Sequence, residues 1–525
     1  MGISRAVTST QVEGSCYPLE GQPMSLRRKI LPVLLGMYLL AFFLSGCAIN
    51  PVSGRSEVVL VSAEKEKELG AQVAEEVKTS MGLVDDPEIV AYVKTVGRRL
   101  AKHSPRKDVN YTFQIVDMGE PNAFALPGGY VYVSRGLLVL VNSEDELAGV
   151  MGHEIGHVAG RHAVQRVTRV AATSPLRIFT GLAGAAVGVV APDVGTAISD
   201  AGQMASALII APYSRDQERE ADRVGQEIAA SAGWNPEGLA SMLESLGREE
   251  KLRSGEERQS SFFDTHPATG ERVAKTIQRA TQLRTSPAPP IAKDRAALMA
   301  KLDGLLVGNN PAKGVFIEDD FMQPTLDFYM RFPPVWKKFN TSEVVVAQAP
   351  GEKALVLLEV AGKGEDPVAV VRQLEEKLDA KLLENASQTQ INGLPAVRLT
   401  GKVKTSEGVM GVLFTWIAHK GLVYQITGLS PSDSFDSYRG VFMETATSFR
   451  PLSEEDWPKI KEARLRVVKA RDGETLEELR KRVNSVWSPA ETAVANGLPQ
   501  KGPLSEGQLI KVAILQSYEP NSVGR

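Results

Sequence analysis

Residues 143–167 read SEDELAGVMGHEIGHVAGRHAVQRV, and this stretch decides the reading of the chain around it. Leu147, Val150, Met151, Ile155 and Val158 recur at helical spacing. Ser143 followed by Glu146 is a capping-box signal for the helix start. Inside the helix lies His153-Glu154-x-x-His157. Side chains four apart share one helix face, so both imidazoles can point at one ion. Glu154 lies about 100° around the helix from His153. It stands beside the ion rather than on it, where a base can act on a water at the metal. Zinc suits these donors: it accepts imidazole and carboxylate at about 2.0–2.2 Å and leaves a fourth position for water in catalytic sites.

A third ligand is needed. HEIGHVAGRH is one residue short of the metzincin pattern HExxHxxGxxH. If the helix continues, His162 is roughly 180° from His153 and cannot reach the same ion. It is read either as a residue behind the metal ligands or as a plain surface histidine. Residues 212–226, PYSRDQEREADRVGQ, offer a better donor. Ala221, Val224 and Gly225 support a helix there, and Glu218 and Asp222 share one face. Glu218 can complete a two-His, one-Glu site for one zinc ion per chain. Asp222 can accept the outer N–H of a ligand histidine and fix its tautomer.

HEIGH on one helix and Glu218-x-x-Ala221-Asp222 on a second resemble the gluzincin group of the HtpX heat-shock protease and the CAAX prenyl proteases. Within it, residues 50–70 (NPVSGRSEVVLVSAEKEKELG) and 121–138 (PNAFALPGGYVYVSRGLL) resemble the BepA- and LoiP-like branch of periplasmic lipoprotein proteases. The resemblance covers roughly 50–280. It implies Glu218 as the zinc ligand, Asp222 behind the site and Glu154 as the catalytic base. It implies that an edge strand near the zinc pairs with the substrate backbone, with Asn122 and Ala123 on it. Val131-Tyr132-Val133-Ser134 is a short β-like run after a Gly-Gly turn. His266-Pro267, with Arg272 six residues after the histidine, matches a late family element near the active-site mouth. His266 would stabilise the oxyanion, or bind zinc and hold the enzyme latent; Arg272 would contact substrate.

The N-terminus carries an export layout. Arg27, Arg28 and Lys29 precede the apolar run Ile30–Leu44, and small residues lead to Cys47. Leu44-Ser45-Gly46-Cys47 resembles the lipobox of bacterial lipoproteins, which implies acylation of Cys47 and cleavage before it. Met24 is a second candidate start, so 24–46 is the expected true signal within 1–46. Ala48 after Cys47 implies outer-membrane delivery, facing the periplasm. Between Pro175 and Pro212 a Gly- and Ala-rich stretch suggests a helical hairpin over the cleft or on the membrane surface, with a spanning pair as the alternative.

The expected layout is therefore α+β overall. A mainly helical zincin domain with a small sheet occupies 47–284, and a stiff proline-rich linker 285–292 follows. Residues 293–455 form an α+β domain with an antiparallel sheet, resembling PsbP-like domains, without a catalytic constellation. Residues 464–514 resemble a βααβ LysM module, with Gly473 and Gly507 in turns. LysM modules bind N-acetylglucosamine-containing glycans, so peptidoglycan is a candidate partner.

Composition restricts the alternatives. The 525 residues include 43% hydrophobic and 23% charged residues, the balance of an ordinary globular chain. A net charge of −3 without a long basic run argues against nucleic-acid binding. Two cysteines do not make a disulfide framework. The leading expectation is proteolysis of misfolded or stalled envelope proteins. A chaperone-like, cell-wall-tethered scaffold with a latent zinc site and a cell-wall peptide hydrolase are the alternatives. If the LysM resemblance extends to function, purified peptidoglycan will pull the protein down; absence from the pellet excludes that role.

Overall fold

The His-Glu-x-x-His segment is a helix from Glu144 to Ala159. The computed structural model describes residues 47–58, 61–166, 212–254, 262–267, 270–378, 382–405 and 408–520. The expected signal, 1–46, and the Gly- and Ala-rich stretch up to residue 211 lie outside the described residues. The Ser143 hydroxyl accepts from the Glu146 backbone N–H at 3.2 Å. The Glu146 carboxylate accepts from Asn142 N, one residue earlier than a standard capping box requires. Of the helix residues only Asp145 is not buried, so the helix is enclosed on all sides rather than amphipathic.

The helix stops one residue after the last periodic position, Val158, and does not continue through His162. Arg161 takes a left-handed φ of 55°, and residues 162–166 resume as a separate helical turn. Arg161 Nε donates to Glu66 at 3.0 Å and its Nη2 to Val61 O at 3.1 Å, which holds this turn. Arg106 forms a two-pronged ion pair with the same Glu66 and donates to Val158 O, capping the helix C-terminus. Helix Ala63–Ser80, which carries Glu66, is thereby tied to the end of the His helix.

Helices Arg215–Ser231, Gly238–Leu252 and Pro87–Ala101 pack against the His helix. A three-stranded sheet covers the remaining side, in the order Thr112–Val116, Tyr130–Ser134, Ala123–Leu126. Tyr130–Ser134 runs parallel to the first and antiparallel to the last. The β-like run Val131–Ser134 is therefore the central strand. Ala123–Leu126 is the edge, with Ala123 on it and Asn122 immediately before it.

Residues 337–431 build a seven-stranded antiparallel sheet. Alternate residues serve opposite faces. Ala396 and Ile417, paired across two strands, face helix Phe435–Thr447. Their neighbours Val397 and Trp416 join Val370 and Val371 of helix Pro367–Leu378. His419 Nε2 contacts Asp327 O at 2.8 Å, a structural position.

Strands Lys461–Lys469 and Leu509–Ser517 pair antiparallel and enclose helices Leu476–Val483 and Pro489–Asn496, a βααβ order. Gly473 and Gly507 both have positive φ. Leu306–Val307 adds a third strand beside Lys461–Lys469 and follows the helix Arg295–Leu302.

This unit is not a free tail. Leu465, Trp487, Ala495 and Ala513 share one hydrophobic core with Leu147, Met151 and Ile155 of the His helix. The expected linker is likewise bound. Ile291 N and Ala292 N both donate to the buried Glu144 carboxylate, which also receives Tyr92 OH and Trp234 Nε1. Arg99 holds Pro289 O. A proline-rich composition predicts stiffness, but not whether a strap is docked.

Lys511 completes the junction. It is 0% exposed, and its ammonium group donates at 2.7 Å to Val139 O and Val141 O, at the end of helix Arg135–Leu140. Burial pushes its pKa down to about 7, opposed by Glu146 and assisted by Arg295. A neutral amine keeps two N–H donors, enough for both carbonyls. The unfolded chain, with an ordinary lysine pKa near 10.4, binds more protons between those two values. Stability therefore rises with pH from about 7 to about 10 through this group. Lys511→Met is expected to be less stable than wild type by roughly 1–3 kcal/mol at pH 9, where it leaves two carbonyls unpaired. The gap should shrink at pH 6; denaturant titrations giving equal gaps at both pH values would exclude this account.

Candidate metal centre

The site depends on how closely two helices approach. Gly152 and Gly156 of the His helix face Gly225 and Ala221 of helix Arg215–Ser231. A Cβ on Gly152 would lie 2.7 Å from Gly225 O, and one on Gly225 only 2.5 Å from His153 N. Without side chains at these positions the backbones meet, and Glu218 is brought against both histidines.

The donor atoms of His153, His157, Glu218 and His266 all lie within 4.8 Å of one another, and all four residues are buried. His157 Nε2 is 3.0 Å from His153 Nε2 and 3.3 Å from Glu218 Oε1. His266 Nδ1 is 3.3 Å from His153 Nε2 and 3.0 Å from Glu218 Oε1. Donors around tetrahedral zinc, with bonds near 2.05 Å, are about 3.3 Å apart. The observed spacings fit such an ion, and two imidazoles with a carboxylate are a zinc-type donor set. His153, His157 and Glu218 would hold the metal. His266 Nδ1 occupies the position of a fourth donor.

Outer contacts fix these groups. His153 Nδ1 lies 2.9 Å from Asp222 Oδ1. His157 stacks on Tyr213, with ring centroids 3.8 Å apart, and Arg166 covers the other face of the pair from above the Tyr213 ring. His266 stacks on Phe262 at 4.3 Å, and its backbone N–H donates to Phe262 O.

Arg272 is placed differently from its expected substrate role. It is buried behind the site and ion-paired with Glu218 at 2.6 Å and Asp222 at 2.7 Å. It also donates to His266 O. Burial opposes charge on both carboxylates. The charges of His266 and Arg272 hold Glu218 well below the usual carboxylate range, and Arg272 with His153 lowers Asp222. Burial likewise disfavours a charged His153, but Asp222 and Glu218 raise its pKa, whereas burial leaves His157 well below the ordinary value.

Glu154 contrasts with the other carboxylates. It is 0% exposed, and among the described residues neither oxygen has a hydrogen-bond partner. The His266 ring comes only within 3.5 Å. Burial raises its pKa, with His266 and His153 partly opposing. A carboxyl group poised towards neutrality and free of donors suits a general base.

Asn122 is buried, its backbone N–H donating to Ser134 Oγ and its side-chain oxygen without a partner among the described residues. Phe262 N donates to Pro121 O, linking this segment to the His266 turn. Sequence reasoning missed Tyr213 and Glu220, and left His162 open between a place behind the ligands and the plain surface. His162 is buried against His157, because the chain turns at Arg161 instead of continuing the helix. The Arg-His pair directly after Gly160 was the available signal.

Residues 87–280 match Peptidase family M48. The chain is 28% identical over 234 residues to the beta-barrel assembly-enhancing protease of Escherichia coli (strain K12), covering 45% of this chain and 47% of that one. It is 31% identical over 208 residues to the metalloprotease LoiP of the same organism, covering 39% of this chain and 77% of that one. It is 29% identical over 284 residues to the mitochondrial metalloendopeptidase OMA1 of Bos taurus, covering 51% and 53%. The chain belongs to peptidase family M48. It spans about half the length of the first of these relatives.

His266→Ala is expected to retain one zinc per chain, because three donors remain, and to change the rate of peptide cleavage. Metal analysis beside Glu218→Ala, which should lose zinc, checks the first point. Unchanged cleavage would remove His266 from the machinery.

Proposed function

We propose that this chain is a zinc-dependent endopeptidase, held on the periplasmic face of a bacterial membrane by a lipid on Cys47. The observation that carries the enzymatic part is a buried Glu154 carboxylate, without a hydrogen-bond partner among the described residues, beside a converging His153, His157 and Glu218 donor set. A zinc ion bound there would supply Lewis acidity to a peptide carbonyl and lower the pKa of a water. Glu154 removes the proton of the attacking water at its free carboxylate and delivers it to the leaving amine. Asp222 keeps the His153 ring oriented through Nδ1. Arg272 balances the charge of Glu218 and Asp222 and so positions the carboxylates.

The edge strand Ala123–Leu126, with Asn122 at its start, would receive substrate by strand addition. Main-chain pairing selects extended chains, so unfolded or misfolded envelope proteins are the proposed substrates, outer-membrane proteins among them. The names of the relatives support this substrate class. The βααβ order supports peptidoglycan as a second partner. Among the described residues no helix is long and apolar enough to cross a membrane.

A second reading, a resting enzyme or scaffold with a latent site, is favoured by one observation. His266 Nδ1 stands where the fourth donor would be, and catalytic zinc needs that position open. Moving His266 would open the site.

Degradation of an unfolded protein is the test, using the chain from Ala48 onward beside its Glu154→Gln variant at equal zinc content. Cleavage by the first, reduced at least about 100-fold in the second, is expected. Cleavage by neither, even with His266→Ala, would favour the scaffold.

A further inference from the structure

The two imidazoles of the candidate centre differ in what holds their outer nitrogens. His153 Nδ1 meets the Asp222 carboxylate directly. His157 Nδ1 meets a third imidazole, His162 Nδ1, at 2.9 Å. Two ring nitrogens at that distance require one proton between them.

The assignment of that proton follows from the surroundings. His157 Nε2 faces the donor cluster and must present a lone pair to a metal. Its proton therefore sits on Nδ1 and is donated to His162 Nδ1. His162 then carries its own proton on Nε2, which lies 3.1 Å from Glu220 Oε2. The carboxylate accepts it. Each donor in the series has one acceptor, and the direction of every bond is fixed.

We propose that His162 and Glu220 form a positioning relay that sets the tautomer and ring plane of His157 for metal binding. The proposal rests on the reading of the cluster as a metal site.

The packing supports a built relay. His162 is 0% exposed, and its ring stands at 78° to that of His157 with centroids 4.9 Å apart. Tyr213 closes the face of His157. Gly160 leaves the space, since a Cβ there would come within 2.4 Å of His162 Nε2. The left-handed turn at Arg161 carries His162 from the far side of the helix to a place behind His157. Glu220 also receives Asn50 Nδ2 at 3.5 Å, and Asn50 Oδ1 accepts from Val52 N and Ser53 N. The relay thus ends on a turn three residues after Cys47.

Outer partners of ligand histidines typically change metal affinity 10–100-fold. The test measures zinc affinity by chelator competition, and the visible spectrum of the cobalt(II) form, in the chain from Ala48 onward. His162→Leu removes the acceptor and is expected to weaken zinc binding about 10–100-fold and to alter the cobalt spectrum. His162→Asn keeps an oxygen acceptor near the Nδ1 position and should recover most of the affinity. Glu220→Ala, at a half-buried position, should weaken binding about 10-fold. Wild-type affinity and spectrum in both His162→Leu and Glu220→Ala would overturn the relay. Failure of the folded wild-type chain to bind zinc or cobalt at all would overturn the metal reading itself, and the relay with it.

Discussion

The close crossing of two helices at Gly152, Gly156 and Gly225 is the constraint on which the rest of the centre depends. Metal donors from separate helices must meet within a few ångströms, and an ordinary helix pair sits 8–10 Å apart because side chains intervene. Here the backbones touch. Glu218 can then reach the histidines with a short, buried side chain, and Asp222, one turn further along, falls against His153. The same glycines that make the contact add nothing to helix propensity. Their place is explained by packing.

Bringing these groups together concentrates charge in a dry interior. Glu154, Glu218 and Asp222 are buried within one cluster, with Arg272 as the fixed cation beside two of them. Removing one member of a buried ion pair leaves an uncompensated charge. Arg272 is therefore part of the centre's construction. Glu154 is left out of these pairings, so its carboxyl group alone remains free to exchange a proton. The division of labour among three carboxylates comes from their partners.

Both ends of the His helix are tied to distant sequence. At its start, Glu144 gathers Tyr92, Trp234 and the strap at Ile291 and Ala292, while Lys511 holds the preceding loop through Val139 and Val141. At its end, Arg106 caps Val158 and pairs with Glu66. A centre read from residues 153–222 is thus stabilised by residues 66 and 511. The βααβ unit shares the core of the peptidase portion rather than extending from it.

The local sequence determined a good deal. Helical periodicity with Ser143 placed the His helix, the four-residue spacing put His153 and His157 on one face, and Glu218 and Asp222 on another helix. Within 293–455 the sequence pointed to an antiparallel sheet. These features depend on neighbours a few residues away, so they are written in the order of residues. Tertiary structure decided the rest. It ended the helix at Gly160, turned His162 behind His157, buried Arg272 against two carboxylates, and placed Val131–Ser134 at the centre of the small sheet. It also converted a proline-rich linker into a docked strap. Each of these follows from a contact with residues far along the chain, such as Glu66 with Arg161 or Glu144 with Ile291. Local spacing carries no information about such partners, because they are chosen by packing and by the need to pair buried charge.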